Sequence, residues 1–404
     1  MSEQKSPPLS HPVGVLHEIR WNEICPWLIL VRSLRASLLV RVLILACIGL
    51  QLTQLGWTAV DRLWIGDRVV GDFAPLQNVA ETAPRISVFE VEEGGWIWGS
   101  PLTRAWKLLS QPLVQMARPV NSWRGSLALA CSAIWAIAVW SFFGGAIARI
   151  SAMQLTRGET IGFVDALKAA LSACVGIAGA PLIALLGAAA LSVPLLLAGL
   201  LIRFDLLALI TGLAWIFVLV WGLMLAVVLL GLLFGWPMMW ATLAVERSDA
   251  FDAVSRCYAY VYQRPLHLAF YIVVASLLGV FGEVVVYYFS GAAMHLGEWA
   301  VSWGAGVQRV TELTSLSSEE STSLSGTVLA GAKAIAVWKQ IWMAIAASYP
   351  VAYLWSAAVG IYLLLRRHID ATEMDEISLT EQQQLQGLPE LEKNKAGLPK
   401  VKRK

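Results

Sequence analysis

Six long runs nearly free of charge constrain this chain more than any other feature. They cover residues 36–57, 125–148, 169–202, 206–245, 265–290 and 340–365. A helix crossing the hydrocarbon core of a bilayer needs ~20 predominantly apolar residues, and every run reaches that length. Inside lipid each backbone polar group must find its partner within the segment, so such runs fold as helices. The whole chain of 404 residues is 57% hydrophobic and only 14% charged, against roughly a quarter charged in soluble domains. An apolar excess this large, arranged in blocks, excludes a soluble enzyme with one greasy core. The expected fold is an all-α polytopic membrane protein with about six transmembrane helices and interfacial amphipathic helices.

The third and fourth runs exceed one simple crossing. Thirty-four uncharged residues (169–202) would span about 51 Å as a helix, against a core of roughly 30 Å. Pro181 and Pro194 interrupt the third run and Pro237 the fourth, which suggests a long, tilted, kinked hairpin. Splitting each run gives an eight-span alternative, with ~17 residues per half and a turn that the sequence lacks. With six spans, eighteen Lys and Arg fall on the side of the two termini and eleven on the other, seven of those in the long segment 58–124. The bias places both termini in the cytoplasm of a multi-pass protein of the bacterial inner membrane. Trp57, Trp64, Trp123, Trp236, Trp240, Trp299, Trp303, Trp338 and Trp342 cluster near the expected boundaries, as an aromatic belt would.

The chain then divides into a cytoplasmic N-terminal segment (1–35), a first span (36–57) and an extracytoplasmic loop (58–124). A five-helix membrane domain with cytoplasmic elbow helices follows (125–366), and then a disordered cytoplasmic tail (367–404). In the loop, Ile86–Val91 reads as a short strand. Leu102, Trp106, Leu109, Leu113 and Met116 form an apolar stripe at helical spacing, the pattern of a helix on the outer interface, with Arg104 and Lys107 opposite. Segment 291–339 reads as an outer loop, mobile between Thr311 and Ser325. Two stretches echo each other: Phe143-Gly144 precedes Asp165-Ala166-Leu167, and Phe234-Gly235 precedes Asp252-Ala253-Val254. The second copy predicts an elbow helix capped by Ser248, presenting Phe251, Val254, Tyr258 and Val261 on one face and lying flat in the interface.

Chemistry is sparse. The sequence holds no phosphate-cradling GxxxxGK[ST], no HExxH, no GxSxG and no dinucleotide fingerprint, so the expectation is a non-enzymatic protein without cofactors. A net charge of +2 gives no field to attract nucleic acid. Five cysteines without paired spacing suggest neither disulfides nor a zinc site. Glu283 is the one acid well inside an apolar run, and an intramembrane carboxylate is a functional candidate. Its position near the outer end of its span suggests Tyr287, Tyr288 and water as partners. His295 and Glu298 make a two-ligand metal pair at most. Gly231 and Gly235 have the GxxxG spacing that admits a close helix neighbour, within the chain rather than in a dimer. Lys400, Lys402, Arg403 and Lys404 form a basic end that anionic headgroups would attract.

Several pieces carry a resemblance: Phe143-Gly144-Gly145 with Arg149-Ile150, Gly235-Trp236-Pro237-Met238, Ser248-Asp249-Ala250-Phe251 with Tyr262-Gln263-Arg264-Pro265, and Ile361-Tyr362 with Arg366-Arg367. Over roughly residues 120–380 the chain resembles uncharacterised six-helix inner-membrane proteins of planctomycete bacteria. More loosely, it is similar to the membrane domain that precedes some bacterial glycerophosphodiester phosphodiesterases. The resemblance implies the membrane architecture and no activity, since the phosphodiesterase domain has no counterpart here. The expected role is a scaffold or accessory subunit of a membrane complex, in contact with the lipid bilayer and with a membrane-protein partner or a second copy. The alternative is a permease-like transport component or small-solute channel.

Overall fold

The computed structural model describes residues 25–64, 99–117, 123–314 and 326–377, and the backbone of 391–393 and 399–401. The expected strand Ile86–Val91 and the basic residues Lys402, Arg403 and Lys404 lie outside the described residues. The elements, in order, are α1 (Ile29–Ser37), α2 (Val40–Trp64), α3 (Pro101–Met116), α4 (Trp123–Thr156), α5 (Phe163–Leu201), α6 (Asp205–Leu213), α7 (Trp215–Glu246), α8 (Ala250–Gln263), α9 (Pro265–Ala305), α10 (Val307–Thr314), α11 (Gly326–Ala347) and α12 (Tyr349–Ile369). Six helical stretches are long and apolar enough to cross a membrane: α2, α4, α5, α7, α9 and the α11–α12 pair. The chain is an all-α polytopic membrane protein.

The long third run remains a single helix, and the fourth holds the short α6 followed by one long helix. α5 continues through Pro181 and Pro194 for 39 residues, and α7 returns along it after the short α6. Near the far end of this hairpin the Trp221 indole donates to Leu191 O at 2.8 Å. No second pair of crossings is cut out of these runs.

Several boundaries differ from the sequence reading. The outer loop expected over 291–339 is largely helical, because α9 runs on to Ala305 and α11 begins at Gly326. The sixth run bends at Ser348, since Pro350 lacks the N–H that would carry the helix through. Ser348 Oγ instead donates to Leu43 O and Ile345 O, at 3.0 and 2.7 Å. The N-terminal segment contributes α1, which buries Leu30, Ser33 and Leu34 where Gly360 leaves room against α12. The amphipathic helix α3 exists, but it packs into the bundle against α4, α9 and α12 rather than lying on its surface. The tail does not turn disordered at 367. α12 continues to Ile369, Met374 and Ile377 pack on the core, and strands β1 (Leu391–Lys393) and β2 (Pro399–Val401) pair antiparallel.

The aromatic belt also needs correction. Trp57, Trp236 and Trp240 are interior residues, and Trp57 donates to Ser132 O at 3.0 Å. Trp240 stacks on Trp355 with centroids 4.4 Å apart and planes 7° from parallel. Trp140 stacks on the same ring at 6.1 Å, and Trp236 meets it edge-on at 5.6 Å. Offset and edge-to-face pairs add about 0.5–1.5 kcal/mol each beyond their buried area. Gly144 makes the stack fit, because a Cβ there would lie 2.8 Å from the Trp355 ring. Trp123, Trp299, Trp303, Trp338 and Trp342 are exposed, where lipid headgroups would meet them.

Candidate functional site

Glu283 lies on α9, eighteen residues beyond Pro265, which is about 27 Å along the helix. Its partner comes from 179 residues away in the sequence. Ser100 caps α3 by accepting from Thr103 N at 3.4 Å, and Pro101 occupies the first turn, a position that does not need its missing N–H. Leu102, Ala105 and Leu109 turn inward, which leaves Arg104 on the flank facing α9. The Arg104 guanidinium donates to both carboxylate oxygens of Glu283. The arginine therefore satisfies this acid, not Tyr287, Tyr288 and water as the sequence suggested. Both contacts come from Nη2, which makes this a charge-assisted pair through one nitrogen.

The pair borders a cavity of about 210 Å³ between α2, α3, α11 and α12, lined by Cys47, Gln51, Gln54, Arg104, Ala344 and Val351 among others. Arg104 Nε is buried there and without a hydrogen-bond partner. The site thus offers an arginine fixed on one side, two amide side chains and an apolar wall, enough to hold a small polar group.

A second polar cluster closes one end of the bundle. Arg149 and Arg366 are each only 2% exposed, and a buried cation needs partners. Arg149 Nη1 donates to Ala244 O at 2.7 Å. Glu246, the last residue of α7, accepts from Tyr362 at 2.5 Å, from Arg256 at 2.7 Å and from Arg366 at 3.4 Å. Arg366 Nη2 also donates to the carbonyls of Glu373 and Glu376, at 3.0 and 2.7 Å. Tyr260 on α8 donates to the Asp370 carboxylate. Burial first, and then this bond, hold its phenol above the ordinary tyrosine range. The cluster ties together α7, α8, α12 and the start of the tail.

The elbow helix α8 differs in its cap and in one residue of its expected face, since Val254, Tyr258 and Val261 do pack on the core. Asp249, not Ser248, accepts from Asp252 N, at 2.7 Å. The buried residues are Ala253, Cys257, Tyr260 and Val261, while Phe251 is 71% exposed. Within the bundle α8 packs along α7 and α5. Gly231 and Gly235 explain this: the Tyr258 ring occupies the space of a Gly231 Cβ, and Cys257 Cβ is 3.7 Å from that of Gly235. Tyr258 then donates to Val228 O at 2.8 Å. The two echoing stretches both follow a left-handed residue, Gly158 and Arg247. The first continues directly into α5, whereas the second breaks at Arg264 before α9.

Glu298 pairs with Lys339 at 2.7 Å rather than sharing an ion with His295. Among the described residues no group of three His, Cys, Asp or Glu is placed to hold a metal ion. Lys400 lies on β2. The sequence reading missed Arg104, Glu246 and Arg366 as site residues. A usable signal was present, since each is a charge within or at the very edge of an apolar stripe, where it must find a partner.

No family model, curated protein or solved structure matches this chain.

Proposed function

We propose that this chain is a non-enzymatic integral protein of the bacterial inner membrane, acting as a scaffold or accessory subunit of a membrane complex. The carrying observation is the filled centre of the bundle. Trp140, Trp236, Trp240 and Trp355 stack where a conduction path would need convergent polar groups. In this reading the end that carries Arg149, Arg256 and Arg366 faces the cytoplasm with both termini, in keeping with the excess of Lys and Arg there. The chain stands beside the six-helix planctomycete proteins that it resembles. Crosslinking the tagged protein in its native membrane, followed by mass spectrometry, tests this. A stoichiometric membrane-protein partner is the expected result, and recovery of the chain alone would count against it.

The Arg104–Glu283 pair beside its cavity favours a second reading, a small-solute transport component. Glu283→Gln separates the two. A scaffold keeps its partner and its phenotype with this change, whereas a coupled transporter loses flux in liposomes.

A further inference from the structure

Where α9 begins and α12 finishes, four basic side chains from two helices meet: Arg264, His267, Arg367 and His368. The His267 and His368 rings lie 5.4 Å apart. Tyr271 stands 6.4 Å from the first and 6.2 Å from the second, its hydroxyl 3.4 Å from His368 Nε2. Arg264 and Arg367 are both close enough to act on His368 electrostatically. Among the described residues, no carboxylate forms an ion pair with Arg264, His267 or His368. Two acids at this end of the bundle are engaged elsewhere: Asp370 accepts from Tyr260, and Glu246 holds Arg256 and Arg366.

Helix electrostatics account for only half of this cluster. Arg367 and His368 sit in the last turn of α12, the negative end, where cations are favoured. Arg264 and His267 occupy the opposite kind of end, the start of a 41-residue helix, whose positive pole repels them. Two arginines and two imidazoles gathered there, all able to donate hydrogen bonds, suit an anion. Leu266 and Phe270, 82% and 49% exposed, lie one turn apart on the same helix and give an apolar surface next to the cluster. Phosphate oxygens suit the arginine and imidazole donors, and acyl chains suit the leucine and phenylalanine.

We propose that Arg264, His267 and His368, with Arg367 beside them, bind the phosphate group of an anionic phospholipid whose acyl chain lies along Leu266 and Phe270.

Native mass spectrometry of the full chain, released from nanodiscs of equal phosphatidylglycerol and phosphatidylcholine, reads the outcome directly. Wild type is expected to retain phosphatidylglycerol at least fivefold over phosphatidylcholine. The R264Q/H267Q/H368Q variant is expected to lose that preference, and R264K/H267K, which keeps positive charge, to preserve it. Circular dichroism of each variant confirms that helix content is unchanged. Equal retention by wild type and the glutamine variant overturns the proposal, as does a preference that disappears only with K400Q/K402Q/R403Q/K404Q. Adding glycerol 1-phosphate to the wild type in phosphatidylcholine distinguishes the source. No binding supports a lipid ligand, whereas retention equal to that of phosphatidylglycerol would overturn the lipid and leave a soluble phosphate ester.

Discussion

Two parts of the molecule are both apolar enough to cross a membrane and opposite in environment, and the less apolar of them is the one inside. In the α11–α12 run, 94% of the most apolar eighteen-residue stretch is buried inside the protein; in α7 the figure is 6% and in α5 it is 11%. α12 is ringed by α1, α3, α4, α7 and α9 and carries the aromatic and hydroxyl groups that fit specific neighbours. Tyr353 donates to Ala275 O at 2.7 Å, and Ser356 lies 2.9 Å from Ser151. The outer reach of the α5–α7 hairpin is Leu, Val, Ala and Gly, facing outward. Lipid tails are as apolar as leucine, so hydrophobicity does not decide which helix goes inside; close packing and hydrogen bonds do. The difference teaches that composition recognises a span, whereas complementary shape and polar pairing choose its neighbours.

The sharpest way to break this contrast is to empty the core of α12. Trp355→Ala is expected to lower stability by about 3–5 kcal/mol, read by thermal denaturation in micelles. Glu246→Ala leaves the buried Arg366 without its carboxylate and is expected to cost about 3 kcal/mol. A double cycle with Arg366→Met should recover part of that loss. On α7, Gly231→Ala drives a methyl into the Tyr258 ring and should cost about 1–3 kcal/mol, loosening α8 first. Glu283→Gln weakens a pair whose arginine is 40% exposed, so about 1 kcal/mol is the expected loss. Leu223→Ala, on the outward face of the hairpin, should change stability by less than about 0.5 kcal/mol. A loss as large as that of Trp355→Ala would show that something other than lipid covers this face.

Cys257 offers a reading by pH. Burial pushes its thiol from 9.0 up to about 12, so the folded state holds the proton more firmly than the unfolded one. That contribution is fully present below pH 9.0 and falls away as pH rises through 12. At pH 8 maleimide should therefore label Cys257 only as α8 opens, at a rate that Gly231→Ala raises.

The membrane class and six helical stretches were legible because a bilayer imposes length and apolarity on each segment independently of all others. The unsplit hairpin was legible for the same reason, since no charged residue interrupts 169–202. What escaped depended on contacts between distant segments. Arg104 looked like the solvent side of a surface helix until α9 brought Glu283 to it. Trp236 and Trp240 looked like interfacial anchors because periodicity does not reveal that Gly144 opens a place for their stack. The α8 face was half legible: Val254, Tyr258 and Val261 pack on the core as the pattern indicates, but Phe251 stays outside while Ala253 and Cys257 are buried. Charges with long-range partners and glycines opposite aromatic rings are the features that one sequence shows without explaining.

Arg366 gives the tail a defined route for mechanical load. Its guanidinium grips the carbonyls of Glu373 and Glu376 while also contacting Glu246, which in turn holds Arg256 of α8. A pull on the segment after Ile377 does not peel α12 one residue at a time. The force divides between the end of α12 and the elbow, so displacing the tail strains α8 before it unwinds the helix at the centre.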